Sequence, residues 1–86
     1  MSSKLQDSAV RCPCCGCKTI GERGGYEICA VCGWEDDGQD DDNAADVLGG
    51  PNGRLSLVQA RVNYRQFGAS CRERLTRVRP PRADEV

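Results

Sequence analysis

The sequence contains no histidine and only four aromatic residues, one Trp, one Phe and two Tyr. Without histidine, the most common general base is missing, and so is a ligand that catalytic zinc sites usually include. No apolar run approaches the roughly 20 residues that a membrane-spanning helix needs, and the first residues lack the apolar segment of a secretory signal. A phosphate-binding loop is absent too, because the glycines of residues 49–53 are not followed by Lys-Ser or Lys-Thr. We therefore expect a cytoplasmic protein that is not an enzyme.

Large apolar side chains are also scarce, with a hydrophobic fraction of 38% and a mean hydropathy of -0.58. Ordering each backbone residue costs roughly 1–2 kcal/mol, whereas burying a large apolar side chain returns only about 1.5–3 kcal/mol. A single domain of 86 residues with so thin a core is expected to need a cross-link. A structural zinc ion can supply on the order of 10 kcal/mol or more. Metal binding is therefore expected to be a condition of folding.

Cysteine is abundant, with seven residues, and four of them form two Cys-x-x-Cys-Gly turns. Cys12 and Cys15 form the first pair, and Cys29 and Cys32 form the second. Each turn can direct two thiolates at one cation, and two turns complete the tetrahedron of a closed structural zinc site. The following glycine allows a tight turn in which a Cβ would crowd the metal. The spacing predicts one structural Zn²⁺ ion bound by these four cysteines.

Three cysteines remain outside this set. Cys14 and Cys17 have the same spacing as the first pair and are alternative ligands, although the glycine after Cys15 favours Cys12 and Cys15. Cys71 is expected to be a small apolar residue on a helix. Redox chemistry at the second pair would require a helix N-terminus and a βαβ context, and the sequence indicates neither. Clustered Cys-x-x-Cys pairs without a secretory signal favour metal over disulfides.

The expected fold class is small, metal-stabilised α+β, with a zinc-ribbon hairpin packed against one or two C-terminal helices. Residues 18–20 and 26–28 are β-prone and flank a glycine-rich connection, so we expect them to pair, with Trp34 and Glu35 adding a third strand. One domain is predicted, in five segments: a loose arm at 1–10, a two-knuckle hairpin at 11–35, an acidic loop at 36–54, helices at 55–78 and an extended tail at 79–86.

The helical segment has clear boundaries. Ser56, followed three residues later by Gln59, predicts a capping box at the N-terminus, and Gly68 predicts the C-terminal end. A second short helix is expected from Ser70 to Val78. Helical spacing and strand alternation predict a core of the following side chains: Tyr26, Ile28, Trp34, Leu57, Val58, Tyr64, Phe67 and Leu75.

Charge is separated along the sequence, although the formal net charge is only -1. Residues 35–46 carry seven acids and no base, and residues 54–82 carry eight arginines and one acid. The acidic run is either a solvated loop or a surface for a basic partner. It lacks the ligand spacing of an EF-hand, so calcium binding is not expected. Trp34 either covers the zinc site or anchors an interface. The predicted partner-binding residues are Trp34, Glu35, Asp36, Asp37, Asp40, Asp41, Asp42 and Asp46.

Several longer motifs occur along the chain: Cys12-Pro13-Cys14-Cys15-Gly16, Gly24-Gly25-Tyr26-Glu27-Ile28-Cys29-x-x-Cys32, Trp34-Glu35-Asp36-Asp37, the Gly-Gly-Pro-Asn-Gly run at 49–53, Ser56-Leu57 with Ala60-Arg61, Asn63-Tyr64, Phe67-Gly68-Ala69 and Val78-Arg79-Pro80-Pro81. With these motifs the sequence resembles the CPCC family of small bacterial cysteine-rich proteins over roughly residues 11–81. The resemblance implies metal binding through the cysteines, and the family has no established catalytic activity. Some members lie beside toxin genes of interbacterial competition systems, which implies an immunity role. Cys17 departs from the family, in which an aromatic residue is commoner after the glycine.

Three functional hypotheses follow. The first is a zinc-stabilised protein-binding module, in its concrete form an immunity protein that neutralises a toxin by covering a basic surface with the acidic residues. The second is a nucleic-acid-associated zinc ribbon that uses Arg72, Arg74, Arg77 and Arg79, although no aromatic residues are interleaved with these arginines. The third and weaker hypothesis is a redox-responsive zinc switch that releases its metal on oxidation.

Overall fold

The computed structural model describes residues 9–86, so residues 1–8 of the predicted N-terminal arm lie outside the described residues. A short antiparallel sheet, one α-helix and three 3-10 turns occupy this part of the chain. None of the described helices has the length and apolar character needed to cross a membrane. The elements are β1 (Val10–Arg11), β2 (Lys18–Ile20), 3-10 turns at Asp41–Asn43 and Gly50–Asn52, α1 (Leu57–Phe67) and a 3-10 helix at Arg72–Arg77.

Each Cys-x-x-Cys-Gly turn closes its own short antiparallel hairpin. The first turn joins β1 to β2, with Val10 opposite Ile20. The second joins the segments around Ile28 and Glu35, which form a β-bridge. The predicted pairing of 18–20 with 26–28 is therefore wrong, because each cysteine turn already reverses the chain and places its own flanking residues side by side. Tyr26 also has a φ of 63°, which interrupts the predicted extended strand.

The predicted boundaries of the long helix are confirmed. The Ser56 hydroxyl accepts a hydrogen bond from the Gln59 amide at 3.1 Å, and Gly68 ends α1 in the left-handed conformation with a φ of 89°. The Gln59 side chain contacts Asn63 at 2.8 Å, so Ser56 alone caps the helix. The predicted second helix is a 3-10 helix that begins later, at Arg72.

The core is built around the cysteines rather than along a strand and a helix face. Trp34 and Leu57 are fully buried as predicted, and Tyr64 packs at the edge of the core. Phe67 is half-buried. Four other predicted core residues are exposed: Tyr26, Ile28, Val58 and Leu75. The second hairpin and the 3-10 helix turn different faces inward, and α1 buries Leu57 and Ala60 in place of Val58. Their places are taken by Ile20, Val31, Ala44, Ala60 and Ala69.

The acidic segment is ordered by side-chain amides that bind backbone groups. The Asn52 side chain accepts from the Glu35 amide at 3.2 Å and donates to the Glu35 carbonyl at 2.7 Å. The Asn52 side chain therefore forms the same pair of hydrogen bonds with the Glu35 backbone that a neighbouring strand would form. Gln39 is buried and donates to the carbonyls of Asn43 and Asp46 at 2.8 and 2.7 Å. These bonds hold the loop in one conformation.

The C-terminal tail runs across both hairpins. The Arg79 amide donates to the Ala30 carbonyl at 3.2 Å, and the Glu85 carbonyl accepts from the Lys18 amide at 2.6 Å. The Arg79 guanidinium also binds both Glu85 carboxylate oxygens at 2.8 Å. This charged hydrogen bond lowers the pKa of Glu85 to about 2. The tail thus connects the two knuckle hairpins.

Replacing Asn52 by Asp tests the role of this amide in the fold. Asn52→Asp removes the donor to the Glu35 carbonyl and places a carboxylate against it, so we expect a loss of about 1–3 kcal/mol in the free energy of unfolding. Urea denaturation of the metal-loaded protein measures this. Gln66→Glu is the control, because it also replaces an amide by a carboxylate but at an exposed position of the helix. It is expected to change the free energy of unfolding by less than about 0.5 kcal/mol. Equal effects of the two substitutions would contradict the assignment.

Candidate metal centre

Four cysteine sulfurs meet where the two hairpins face each other. The Sγ atoms of Cys12, Cys15, Cys29 and Cys32 all lie within 4.8 Å of one another. Two of these distances are 3.6 Å from Cys12 to Cys32 and 3.7 Å from Cys15 to Cys29. A tetrahedron with metal–sulfur bonds of about 2.3 Å has edges of about 3.8 Å, so these separations suit a zinc ion. Three of the four side chains are buried and Cys15 is half-buried.

The two turns position their sulfurs in the same way. The Gly16 amide donates to the Cys12 carbonyl, and the Gly33 amide donates to the Cys29 carbonyl, both at 2.8 Å. Gly16 and Gly33 have φ values of 81° and 85°, a conformation that glycine adopts without steric cost. The repeated geometry explains why a Cys-x-x-Cys pair must be followed by glycine in both places.

Backbone amides and one hydroxyl point at the sulfurs. The Cys17 amide contacts the Cys15 Sγ at 3.5 Å, and the Trp34 amide contacts the Cys32 Sγ at 3.4 Å. The Thr19 hydroxyl lies 2.9 Å from the Cys29 Sγ. Donors of this kind stabilise the thiolate form, which is the form that binds metal.

Hydrogen bonds among the sulfurs give the four thiols different acidities. The bond with Cys12 lowers the pKa of Cys29, and the bond with Cys12 raises the pKa of Cys32. A divalent cation would replace these shared protons. Four sulfurs would complete the tetrahedral coordination of such a cation, which is the ligand set of a closed structural metal site.

The remaining predicted metal ligands lie close to this cluster in the chain but are not among its four residues. Cys14 and Cys17 are buried in the same core as the cluster. Cys71 is half-buried at the start of the 3-10 helix, next to Ser70, whose amide donates to the Cys32 carbonyl at 2.7 Å. The second turn is therefore contacted from the C-terminal part of the chain.

Two residues of the predicted partner surface are inside the protein. Trp34 is fully buried and packs in the cysteine core, so it cannot anchor an interface in this conformation. Asp36 is fully buried too, and its carboxylate accepts from the Arg23 guanidinium at 2.9 Å and from the Gly24 amide at 2.8 Å. Asp36 is thus an internal anchor for the glycine-rich turn at 21–25.

Intramolecular ion pairs use part of the remaining acidic surface. Asp40 pairs with Arg23 at 2.8 Å, and Asp41 pairs with Arg61 at 2.6 Å. The hydrogen bond with Arg23 lowers the pKa of Asp40. Glu35 and Asp37 are half-buried, whereas Asp42 and Asp46 are exposed.

The loop also presents an apolar pair that sequence reasoning missed. Val47 is 58% exposed and Leu48 is 50% exposed. They follow directly after Asp46 in the sequence. Two adjacent apolar residues in a segment without helical or strand periodicity were the signal that could have predicted this exposed pair. An exposed apolar pair therefore lies next to Asp46 in the sequence, whereas Trp34 is buried.

The predicted nucleic-acid-binding arginines differ in their surroundings. Arg74 donates to the carbonyls of Gly33 and Pro51, and Arg79 is bound by Glu85. These three contacts make Arg74 and Arg79 part of the fold. Arg72 and Arg77 are exposed.

Comparison with known families gives one match. The family model described as Cysteine-rich CPCC matches residues 10–85, a span that includes all seven cysteines. No curated protein and no solved structure matches the chain. The family match agrees with the resemblance seen in the sequence motifs.

The two turn glycines provide a matched test of the site. Both Gly16→Ala and Gly33→Ala impose a positive φ on alanine, at a cost of about 1–2 kcal/mol. A Cβ at Gly33 would in addition lie 3.0 Å from the Arg74 Cβ, whereas a Cβ at Gly16 meets nothing within 4 Å. We expect Gly33→Ala to lower the free energy of unfolding of the zinc-loaded protein by about 1–3 kcal/mol more than Gly16→Ala. Equal losses in urea denaturation would show that the Arg74 contact is unimportant.

Single Cys→Ser substitutions distinguish the four clustered cysteines from the spare ones. Cys12→Ser and Cys15→Ser are expected to reduce bound zinc well below one equivalent and to lower far-ultraviolet circular dichroism, because metal binding and folding are coupled. Cys14→Ser and Cys17→Ser are expected to retain one equivalent, and Cys71→Ser is the control. Elemental analysis of the purified proteins measures the zinc. Loss of zinc in Cys14→Ser or Cys17→Ser with retention in Cys12→Ser or Cys15→Ser would assign the site to the alternative pair.

Proposed function

Because this chain belongs to the cysteine-rich CPCC family, we propose that it is a non-enzymatic zinc-ribbon module that acts by binding another protein. The ribbon assignment is supported by two Cys-x-x-Cys-Gly turns, each closing a hairpin and each contributing two sulfurs to one cluster. Zinc bound there would supply a cross-link between the hairpins. The residues that hold it are Cys12, Cys15, Cys29 and Cys32.

The observation that carries the proposal is the group of exposed side chains in the loop of residues 42–48, namely Asp42, Asp46, Val47 and Leu48. Asp42 and Asp46 are exposed there, beside the solvent-accessible side chains of Val47 and Leu48. An apolar anchor with charged residues around it is the usual anatomy of a protein interface. The acids favour a basic partner and speed its approach, while the apolar pair supplies contact area once the partner has arrived.

The loop is preorganised for binding. The buried Gln39 amide donates to the Asp46 carbonyl at 2.7 Å, directly before the apolar pair. The Asp41–Arg61 ion pair at 2.6 Å and the Val58 amide bond to the Ala44 carbonyl at 2.9 Å fix the same loop to α1. A surface already held in one conformation loses less entropy on association.

The concrete form of the proposal is an immunity protein in the bacterial cytoplasm. It would neutralise a toxin stoichiometrically by covering a basic surface with residues 42–48. The acidic surface and the family resemblance support this form, and the second support is an analogy between proteins. No catalytic group is required of the chain, which fits a sequence without histidine.

Charge reversal within the exposed surface tests the proposal. Zinc-loaded wild-type protein and the double variant Asp42→Lys/Asp46→Lys are used as baits in parallel pull-downs from the source bacterium. We expect a basic protein to be captured by the wild type and lost from the variant. With the purified partner, the variant should associate about tenfold or more slowly at low salt. Val47→Ser/Leu48→Ser should instead speed dissociation, because it removes contact area and leaves the charge unchanged.

Glu73→Lys serves as the control, since it reverses an exposed acid on the 3-10 helix outside the loop. It should retain the partner with an unchanged dissociation rate. If the partner binds the Asp42→Lys/Asp46→Lys and Val47→Ser/Leu48→Ser proteins as well as it binds the wild type, the loop is not the interface and the proposed function is wrong.

A further inference from the structure

The C-terminal residues form a loop that is closed by one of its own side chains. Two prolines follow Arg79 and restrict the backbone, and the Glu85 amide then donates to the Arg82 carbonyl at 3.0 Å in a turn. The Glu85 carboxylate accepts from the Arg82 amide at 2.8 Å, and its two oxygens accept from the two terminal nitrogens of the Arg79 guanidinium, each at 2.8 Å. Residues 79–85 are therefore held together as one unit by the side chain of Glu85.

This loop binds the backbone of both knuckle hairpins. At its first residue, the Arg79 amide donates at 3.2 Å to the carbonyl of Ala30, which lies between the paired cysteines of the second turn. At its other end, the Glu85 carbonyl accepts at 2.6 Å from the amide of Lys18, the first residue of β2. The same ion pair that closes the loop thus holds its two contacts with the hairpins in place.

The loop supplies a backbone link that the hairpins lack between themselves. Within the part of the chain that the structure describes, no backbone hydrogen bond runs directly from the first hairpin, residues 10–20, to the second, residues 26–36. A metal ion bound by both turns can leave only after the sulfurs of at least one turn move away from it. Moving one turn away separates the hairpins, and the loop that is bonded to both of them opposes this separation.

The Arg79–Glu85 pair is strong enough to matter for this movement. A bidentate bond between a guanidinium and a carboxylate is among the stronger hydrogen-bonded pairs in proteins. The Glu85 side chain is only 13% exposed, so water competes for its carboxylate only in part. The bond with Arg79 also lowers the pKa of Glu85 to about 2, so the carboxylate stays charged at neutral pH, at which zinc binds to thiolates.

We propose that residues 79–85, closed by the Arg79–Glu85 ion pair, act as a clasp whose opening controls how fast the cysteine site releases its metal. The proposal rests on the zinc-binding part of the proposed function and is independent of partner binding. While the clasp is closed, it holds the two cysteine turns together around the ion. When the clasp opens, the hairpins separate locally before the rest of the chain unfolds, and the ion becomes accessible to a competing ligand.

Zinc transfer from the loaded full chain to an excess of the chelator 4-(2-pyridylazo)resorcinol measures the release rate, because the zinc complex of this chelator absorbs visible light. Elemental analysis first establishes the zinc content of each protein. Arg79→Gln and Glu85→Gln each break the ion pair, so we expect each to speed release about tenfold or more. The double variant should be within about twofold of the faster single variant, since both changes remove the same interaction.

Amide hydrogen exchange of the zinc-loaded proteins gives a second, local readout. The Lys18 amide is protected by the Glu85 carbonyl, so its exchange should become faster in both single variants by about the same factor as zinc release. The Val58 amide of α1 donates to the Ala44 carbonyl at 2.9 Å, outside the clasp, and should exchange at the wild-type rate.

Two control variants separate clasp opening from a general loss of stability. Asn52→Asp destabilises the fold through Glu35 and not through the clasp, so its release rate should rise only as far as its denaturation midpoint falls. Arg54→Gln removes an exposed arginine that lines a cavity with the glycine-rich run, and it should change the release rate by less than about twofold.

The proposal is overturned if Arg79→Gln and Glu85→Gln release zinc within twofold of the wild-type rate. It is also overturned if their release rates follow the denaturation midpoint as that of Asn52→Asp does, or if their effects multiply in the double variant. In each of these cases, one equivalent of bound zinc would leave the metal centre of the proposed function standing. A wild-type protein that binds no zinc would instead overturn the metal centre and the clasp together.

Discussion

The convergence of four cysteine sulfurs is the constraint on which the other parts of this structure depend. Two thiolates 3.7 Å apart repel each other by roughly 4–5 kcal/mol at an effective dielectric constant of 20, so the cluster requires either shared protons or a cation. The strands cannot hold it together by themselves, since β1 and β2 contain two and three residues, far below what an isolated hairpin needs. A metal ion would remove the repulsion and join the two hairpins at once.

The rest of the chain is attached mainly to the second turn and its flanks. The Ser70 amide binds the Cys32 carbonyl, Arg74 binds the Gly33 carbonyl, and the Asn52 amide pairs with Glu35. These contacts come from three separate segments, namely the glycine-rich run at 49–53, the connection that follows α1 and the 3-10 helix. Because all of them use backbone groups near the metal site, loss of the metal would loosen the helical part of the chain as well as the hairpins. Folding and metal binding should therefore be one cooperative process.

Local sequence signals predicted the features that depend on a few neighbouring residues. The Cys-x-x-Cys-Gly turns and the Ser56 cap are of this kind, since the residues that form them lie within about five positions. Strand pairing and burial depend on distant partners and were partly mispredicted. The burial of Asp36 requires Arg23, thirteen residues earlier, and the position of Trp34 requires a core formed by cysteines. Sequence periodicity therefore could not tell which acids remain on the surface.

The net charge of -1 does not describe the charge at any one part of the surface. At physiological ionic strength the electrostatic field of an exposed charge is screened over about 8 Å, whereas α1 alone spans roughly 16 Å. A molecule approaching the exposed carboxylates of Asp42 and Asp46 therefore experiences mainly the charge of that surface and not the net charge of the chain. Its rate of approach should depend on these nearby acids more than on arginines farther than a screening length away.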